Sequence, residues 1–288
     1  MDYNEFKEKI KENLKIYMPA DYEAVFSKIL KANERKDGIT IVSKNTNQKE
    51  TCIPVVYIND IFHKVNNYSD DDVKQIAITI VMKLFNFKES KYKVTFDTEK
   101  IIFRVINTER NKEFLKNVPH RDFLDLSIIY VQVINNSNES LDTCTITNEM
   151  IEAGNITEDF LYRMAKNNTD KELGTLIKAP YDDEEYINDY DVTYIISNKN
   201  MINGAYKIFD IDSLDKMADE LNSDLIIIPS SVHEILVTRY EDSKAKFYSD
   251  LVIDTNANIL DNRDYLSDSL YIYNKDNKEI SIYEKESE

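Results

Sequence analysis

Apolar residues in the stretch 4–17 fall at Phe6, Ile10, Leu14 and Tyr17, three or four apart with Lys and Glu between them. That spacing predicts an amphipathic helix, which Pro19 stops. Strands are expected next over 24–30 and 39–42, around a charged turn ending in Asp37-Gly38, and a third over 53–58. Ser69 ahead of Asp70, Asp71 and Asp72 reads as a helix start, a hydroxyl cap followed by carboxylates at the positive end of the helix dipole. An acidic first turn accounts for these aspartates without any metal ion. Val73, Ile76, Ile80, Leu84 and Phe87 supply the buried stripe. The first unit is therefore α-β-β-β-α over residues 1–92.

Residues 93–288 form a larger unit. Strands are expected over 94–96, 101–106, 123–134, 141–146, 192–197, 205–209, 225–228, 232–239, 270–273 and 280–283. Thr157 caps a helix bearing Phe160, Leu161 and Met164. A second helix opens near Asp212-Ser213 with Leu214, Met217, Ala218 and Leu221 on one stripe, and a third covers 244–255. Asn203-Gly204 reads as a turn needing positive φ, Pro229-Ser230-Ser231 and the segment 274–277 as hairpin connections, and 180–191 as an acidic insert around Asp182-Asp183-Glu184-Glu185. Strands and helices mix without strict alternation and hairpins recur. The fold class is α+β, with mixed, largely antiparallel sheets and helices packed on them. The segments 145–151 and 195–202 echo each other, each ending a strand with a hydroxyl residue and Asn, and point to an internal pseudo-repeat in the C-terminal two-thirds; the match is too short to establish duplication.

Composition changes this picture in three places. Hydrophobic residues at 42% and charged residues at 31% fit a folded chain, while only four Gly and five Pro leave turns to Asn, Asp and Ser. The formal charge is −17, from 53 acidic and 36 basic residues. The α-β-β-β-α order is shared with double-stranded RNA-binding domains, but residues 1–90 hold 14 Lys plus Arg against 14 Asp plus Glu, and three aspartates open the helix where phosphate contacts would be wanted. Direct nucleic-acid binding is thus disfavoured, and a protein partner, a basic one included, is favoured. Cys52 and Cys144 are far apart and read as reduced thiols. Neither a signal peptide nor a run of ~18 apolar residues is evident, so a cytoplasmic protein that stays off membranes is expected. The wealth of Asn, Lys, Ile, Tyr and Asp resembles the usage of AT-rich bacteria or their mobile elements.

Candidate chemistry centres on two of the three histidines. His120 lies in Val118-Pro119-His120-Arg121-Asp122-Phe123-Leu124-Asp125-Leu126, and His233 in Pro229-Ser230-Ser231-Val232-His233-Glu234-Ile235. Each follows a proline and stands near a carboxylate at the entrance of an apolar run. With a strand from 232, period two places His233 with Ile235 and Val237 and turns Glu234 to the opposite face. His233 would then need His120, Asp122 or Asp125 as a partner, and two histidines with a carboxylate suit zinc, iron or manganese. The competing reading is a strand-end histidine bonded to backbone groups that the turn leaves unpaired. No cofactor is expected, a divalent metal being the one alternative. Ser230 and Ser231 lack a Gly-x-Ser-x-Gly elbow, and Cys144 lies inside an expected strand, so no covalent nucleophile is indicated. Ser230, Ser231, Asn203 and Gly204 are the binding candidates. No phosphate loop, dinucleotide fingerprint, zinc spacing or EF-hand occurs.

Several segments in series carry a resemblance: 107–112 (Asn-Thr-Glu-Arg-Asn-Lys), 118–126, Thr147-Asn148-Glu149, Ser197-Asn198-Lys199 with Ile202-Asn203-Gly204-Ala205, and 229–234. Together they resemble an uncharacterised bacterial family, domain of unknown function 5688, over nearly the whole chain. The strand and helix order is more distantly similar to another such family, domain of unknown function 1444. Neither resemblance implies an established activity. The expected function is a non-catalytic, macromolecule-binding or regulatory protein; the alternative is a metal-dependent hydrolase or small-ligand enzyme using His120 and His233.

Overall fold

The computed structural model describes residues 1–44, 55–64, 67–89, 96–137, 141–179 and 192–285. Cys52, the acidic insert at 180–191 and the start of the strand expected at 94–96 lie outside the described residues. The chain divides into two compact units, Met1–Thr95 and Phe96–Glu288.

In the first unit, helix α1 (Tyr3–Tyr17) is followed by strands β1 (Tyr22–Lys31), β2 (Glu34–Ser43) and β3 (Val56–Tyr57), then helices α2 (Ile58–Phe62) and α3 (Asp70–Glu89). The strands form an antiparallel sheet in the order β1-β2-β3. Phe6, Ile10 and Leu14 of α1 share a core with Val73, Ala77, Ile80 and Leu84 of α3 and with Ile39 and Ile41 of β2. The start of α3 is a reciprocal cap: the Asp72 N–H donates to Ser69 Oγ at 3.2 Å, and the Ser69 N–H donates to Asp72 Oδ2 at 2.9 Å. Bonds from Ser69 hold the Asp72 carboxyl below its ordinary range.

The expected Asp37-Gly38 turn is corrected. The hairpin turns instead at Ala32-Asn33, where Asn33 takes the left-handed φ of 66°, and Asp37 and Gly38 lie inside β2. A Cβ on Gly38 would come within 2.6 Å of Ile29 Cγ1, so the glycine serves close packing. Asp37 is buried and joins sheet to helix, accepting from Tyr3 OH at 2.8 Å and pairing with Lys7 at 2.7 Å. The strand expected over 53–58 is shorter among the described residues, because the chain enters α2 at Ile58.

The second unit runs β4 (Ile101–Asn107), α4 (Lys112–Leu115), β5 (His120–Phe123), β6 (Leu126–Asn136), β7 (Leu141–Thr145), α5 (Asn148–Gly154), α6 (Glu158–Leu173), β8 (Leu176–Lys178) and β9 (Tyr194–Ser197). A 3-10 helix (Gly204–Phe209), α7 (Ile211–Leu221), β10 (Leu225–Ile228), β11 (Ile235–Arg239), α8 (Asp242–Asn258), β12 (Tyr271–Asn274) and β13 (Glu279–Ile282) complete it. One antiparallel sheet has the order β13-β12-β10-β11-β9-β8. The other is built on β6, with β4 on one edge and β5 and β7 end to end on the other. The fold is α+β with antiparallel sheets and packed helices.

Helix α6 closes the outer edge of β4. Thr169 Oγ1 accepts the Phe103 N–H at 3.0 Å, and Asn168 Nδ2 donates to Ile101 O at 3.2 Å. Sheet groups that would otherwise recruit another strand are thus satisfied. As expected, Thr157 caps this helix, accepting from the Phe160 N–H at 3.2 Å.

Residues 205–209, expected as a strand, lie in the 3-10 helix instead. Gly204, Ala205, Tyr206, Lys207 and Ile208 are all buried, and the turn lets Lys207 reach three internal acceptors. The two echoing segments also lead to different ends: 145–151 enters α5 through a Thr147 cap, whereas 195–202 enters left-handed residues and the 3-10 helix.

Candidate functional site

The strand expected over 123–134 is a hairpin, β5 and β6, turning at Leu124-Asp125. Leu124 takes a φ of 55°, a conformation unfavourable for a leucine, so its surroundings must hold it. Asp125 does so. Its carboxylate accepts from Ser267 Oγ at 2.5 Å, Ser269 Oγ at 3.2 Å and Tyr271 OH at 2.7 Å, and its carbonyl accepts the Thr108 N–H at 2.9 Å. Burial, reinforced by Asp125, pushes the Tyr271 phenol far above its usual range and keeps it a donor. Replacing Asp125 with Ala is expected to cost about 1–3 kcal/mol, because those hydroxyls lose their acceptor. Urea unfolding reads this directly; a loss within error of zero would show that the turn does not need its anchor.

Around it, alternation along β5 separates the functional candidates. His120 Nδ1 lies 3.0 Å from Val118 O and therefore carries the proton, while its Nε2 lies 4.0 Å from Asp122 Oδ1. Asp122 also accepts from Ser127 Oγ at 2.6 Å. Arg121, pointing the other way, grips the first turn of α6: it donates to Glu158 at 3.2 and 2.7 Å and to Asp159 at 2.6 Å, with its guanidinium 4.0 Å from the Tyr162 ring centroid. Tyr130 OH donates to the same Glu158. These bonds tie strand to helix, the Nε and Nη2 donors of the planar group gripping Glu158 side-on while Nη2 also reaches Asp159.

The second motif also departs from expectation. Strand β11 begins at Ile235, so His233 and Glu234 belong to the connection from β10, and the two-residue period that set them on opposite faces does not apply. Glu234 Oε1 accepts from Ser230 Oγ at 3.0 Å and Ser231 Oγ at 2.9 Å, and Ser231 Oγ accepts the His233 N–H at 3.0 Å. The His233 carbonyl takes the Gly204 N–H at 2.9 Å and Ser197 Oγ at 2.7 Å. On the ring, Nδ1 accepts the Asn203 N–H at 3.1 Å, which assigns the proton to Nε2, 3.2 Å from Asp264 Oδ1. Both ring nitrogens are engaged.

Asn203 and Gly204 divide their work differently from expectation. The left-handed residue is Asn203, at φ 53°. Gly204 is needed for close approach, since a Cβ there would lie 2.1 Å from Ser197 Oγ and 2.5 Å from the His233 carbonyl.

The two histidines share no partner: those of His120 come from 118–122, those of His233 from 197–264. Their segments nevertheless close on one stretch of chain. Val232 donates its N–H to Asp264 O at 2.8 Å, Asp125 holds Ser267, Ser269 and Tyr271, and Arg110 lies 3.2 Å from the Tyr265 ring centroid. Among the described residues, no three His, Cys, Asp or Glu side chains gather where they would hold a metal ion. Cys144 lies in β7, its Sγ 3.8 Å from Thr145 O.

Sequence reasoning missed the most buried charge of this unit. Lys207 is fully buried, and its ammonium donates to Asp170 at 2.6 Å, Thr175 Oγ1 at 2.6 Å and Asp210 at 2.9 Å. The available signal was Asp210-x-x-Ser213, the cap that starts α7. Asp264 left no comparable signal, since its role depends on a contact 31 residues away.

Residues 3–275 match a family of unknown function, DUF5688. No curated protein and no solved structure matches the chain.

Proposed function

We propose, from the premise that the chain belongs to the DUF5688 family, that it is a cytosolic bacterial protein, host or mobile-element, which binds another macromolecule and acts without catalysis. The observation carrying this reading is the engagement of His233 on both ring nitrogens, by a backbone N–H and a carboxylate. Such an imidazole has no lone pair left for a metal or a substrate proton. Ser230 and Ser231 are likewise committed to Glu234, and Asp125 to three hydroxyls. A protein partner is favoured over nucleic acid by the charge of −17. Among the described residues, no helix is long and apolar enough to cross a membrane.

The enzyme alternative retains one observation, the Nε2 of His120 beside Asp122. His120→Ala is the better test, because His233→Ala also removes two bonds of the fold. The expected result is no turnover of ester, phosphoester or peptide substrates with Zn²⁺, Mn²⁺ or Fe²⁺, and unchanged capture of partners by the variant. Metal-dependent turnover that His120→Ala abolishes would overturn the proposal.

A further inference from the structure

We infer that the outward face of α8 docks a basic amphipathic helix of a partner protein, which deepens the binding function proposed above and rests on it. Helix α8 is amphipathic in an unusual sense. Its inward positions are Ala245, Ser249 and Val252, packed toward Ile226, Ile228 and Leu270, while the larger Phe247 and Leu251 point to solvent, 61% and 42% exposed. Being four residues apart, those two form one row along the helix. Ile253, 48% exposed, is two residues from Leu251 and so lies on another side of the helix, and Ile259, 77% exposed, follows the helix end, so the apolar row of this face is Phe247 and Leu251. Single exposed apolar residues need no explanation, but a cluster marks an interaction surface.

Charge selects the occupant. Asp250 and Asp254, also four apart and exposed, run beside the Phe247-Leu251 row. A helix with apolar residues at i and i+4 and Lys or Arg on the adjoining row matches both rows at once. The wider field has the same sign: residues 96–288 hold 39 Asp plus Glu against 20 Lys plus Arg, whereas residues 1–95 hold 14 against 16. A second copy would bring like charge to like, while a cationic partner is attracted and steered. Asp250 currently pairs with Lys285 at 2.5 Å, but both side chains are substantially exposed, at 67% and 39%, so an incoming cation can exchange for it.

The test uses the full chain and a fluorescein-labelled 18-residue Leu/Lys peptide of helical periodicity, followed by anisotropy, with a same-composition peptide of scrambled order as control. The expected result is saturable binding of the periodic peptide, weaker at high salt and at least tenfold weaker in F247S/L251S, whose far-UV circular dichroism and Tm match the native protein. D250N/D254N is expected to flatten the salt dependence. Equal binding by native and F247S/L251S protein, or none by either, would overturn the assignment. A native dimer in sedimentation that F247S/L251S abolishes would overturn it in favour of a second copy. Affinity capture with both proteins separates this inference from the function beneath it: a specific partner kept by F247S/L251S refutes this face alone, and a native protein that captures none refutes both.

Discussion

Lys207→Met is expected to remove about 3–5 kcal/mol from the stability of the second unit, the range for taking one partner from a buried ion pair. The methionine fills much of the lysine's volume, so the loss is electrostatic. Asp210, 16% exposed, would keep its charge without the ammonium, whereas Asp170, 54% exposed, is readily solvated and contributes the smaller share. Burial alone would raise the Asp210 carboxyl; the bonds from Lys207 and Ser213 outweigh it and hold the group below its ordinary value. The sign of the pH dependence follows. A carboxyl depressed in the folded state stabilises fully above its unfolded value of about 3.9, and that contribution is lost as the pH falls through the lower folded value. Denaturant titrations at successive pH values should therefore show an acid-limb loss in the native protein that is reduced in Lys207→Met. A variant within 1 kcal/mol of native at pH 7 would mean that the buried ion cluster is not holding the unit together.

Gly204→Ala is expected to cost about 3 kcal/mol or more, at the upper end of overpacking effects. The added methyl would lie 2.5 Å from the His233 carbonyl and 2.9 Å from the Asn198 nitrogen, both backbone atoms with little room to retreat. Relieving the overlap must stretch the Gly204-to-His233 bond and the adjacent Asn203 contact with the imidazole. The His233 ring signals should therefore shift in NMR along with the stability. Gly154→Ala is the matched control: its Cβ would meet only the side chain of Ile156, at 2.9 Å, so a change under about 1 kcal/mol is expected. Equal effects at the two positions would show that backbone approach is not what Gly204 provides.

These two positions mark where sequence and structure part company. The helix stripes of α1, α3 and α7 were legible because burial on one helical face repeats every three or four residues, and the Thr157 cap because its partner is three residues away. Turns were read less well. Asp37-Gly38 has the composition of a turn, yet packing against Ile29 places it in a strand, and the long apolar run after Phe123 concealed a turn at a leucine that only the remote hydroxyls of Ser267, Ser269 and Tyr271 sustain. Phasing His233 by a strand failed for a related reason. The bonds that withdraw it from β11 come from residues 203 and 264, invisible in any local window.

The sequence by itself determined the α+β class, the principal helices, the closing hairpin and the acidic balance, since each depends on local periodicity or on counting, and the family, which rests on a series of motifs along the chain. It also located the two Pro/His segments as places where polar chemistry concentrates. Tertiary structure decided what that chemistry does: Asp264 and Asn203 occupy His233, Glu158 occupies Arg121, and the serines and tyrosine of 267–271 occupy Asp125. The physical reason is that the state of a polar side chain depends on which distant donors and acceptors folding brings within about 3 Å. No spacing rule along the chain encodes that meeting.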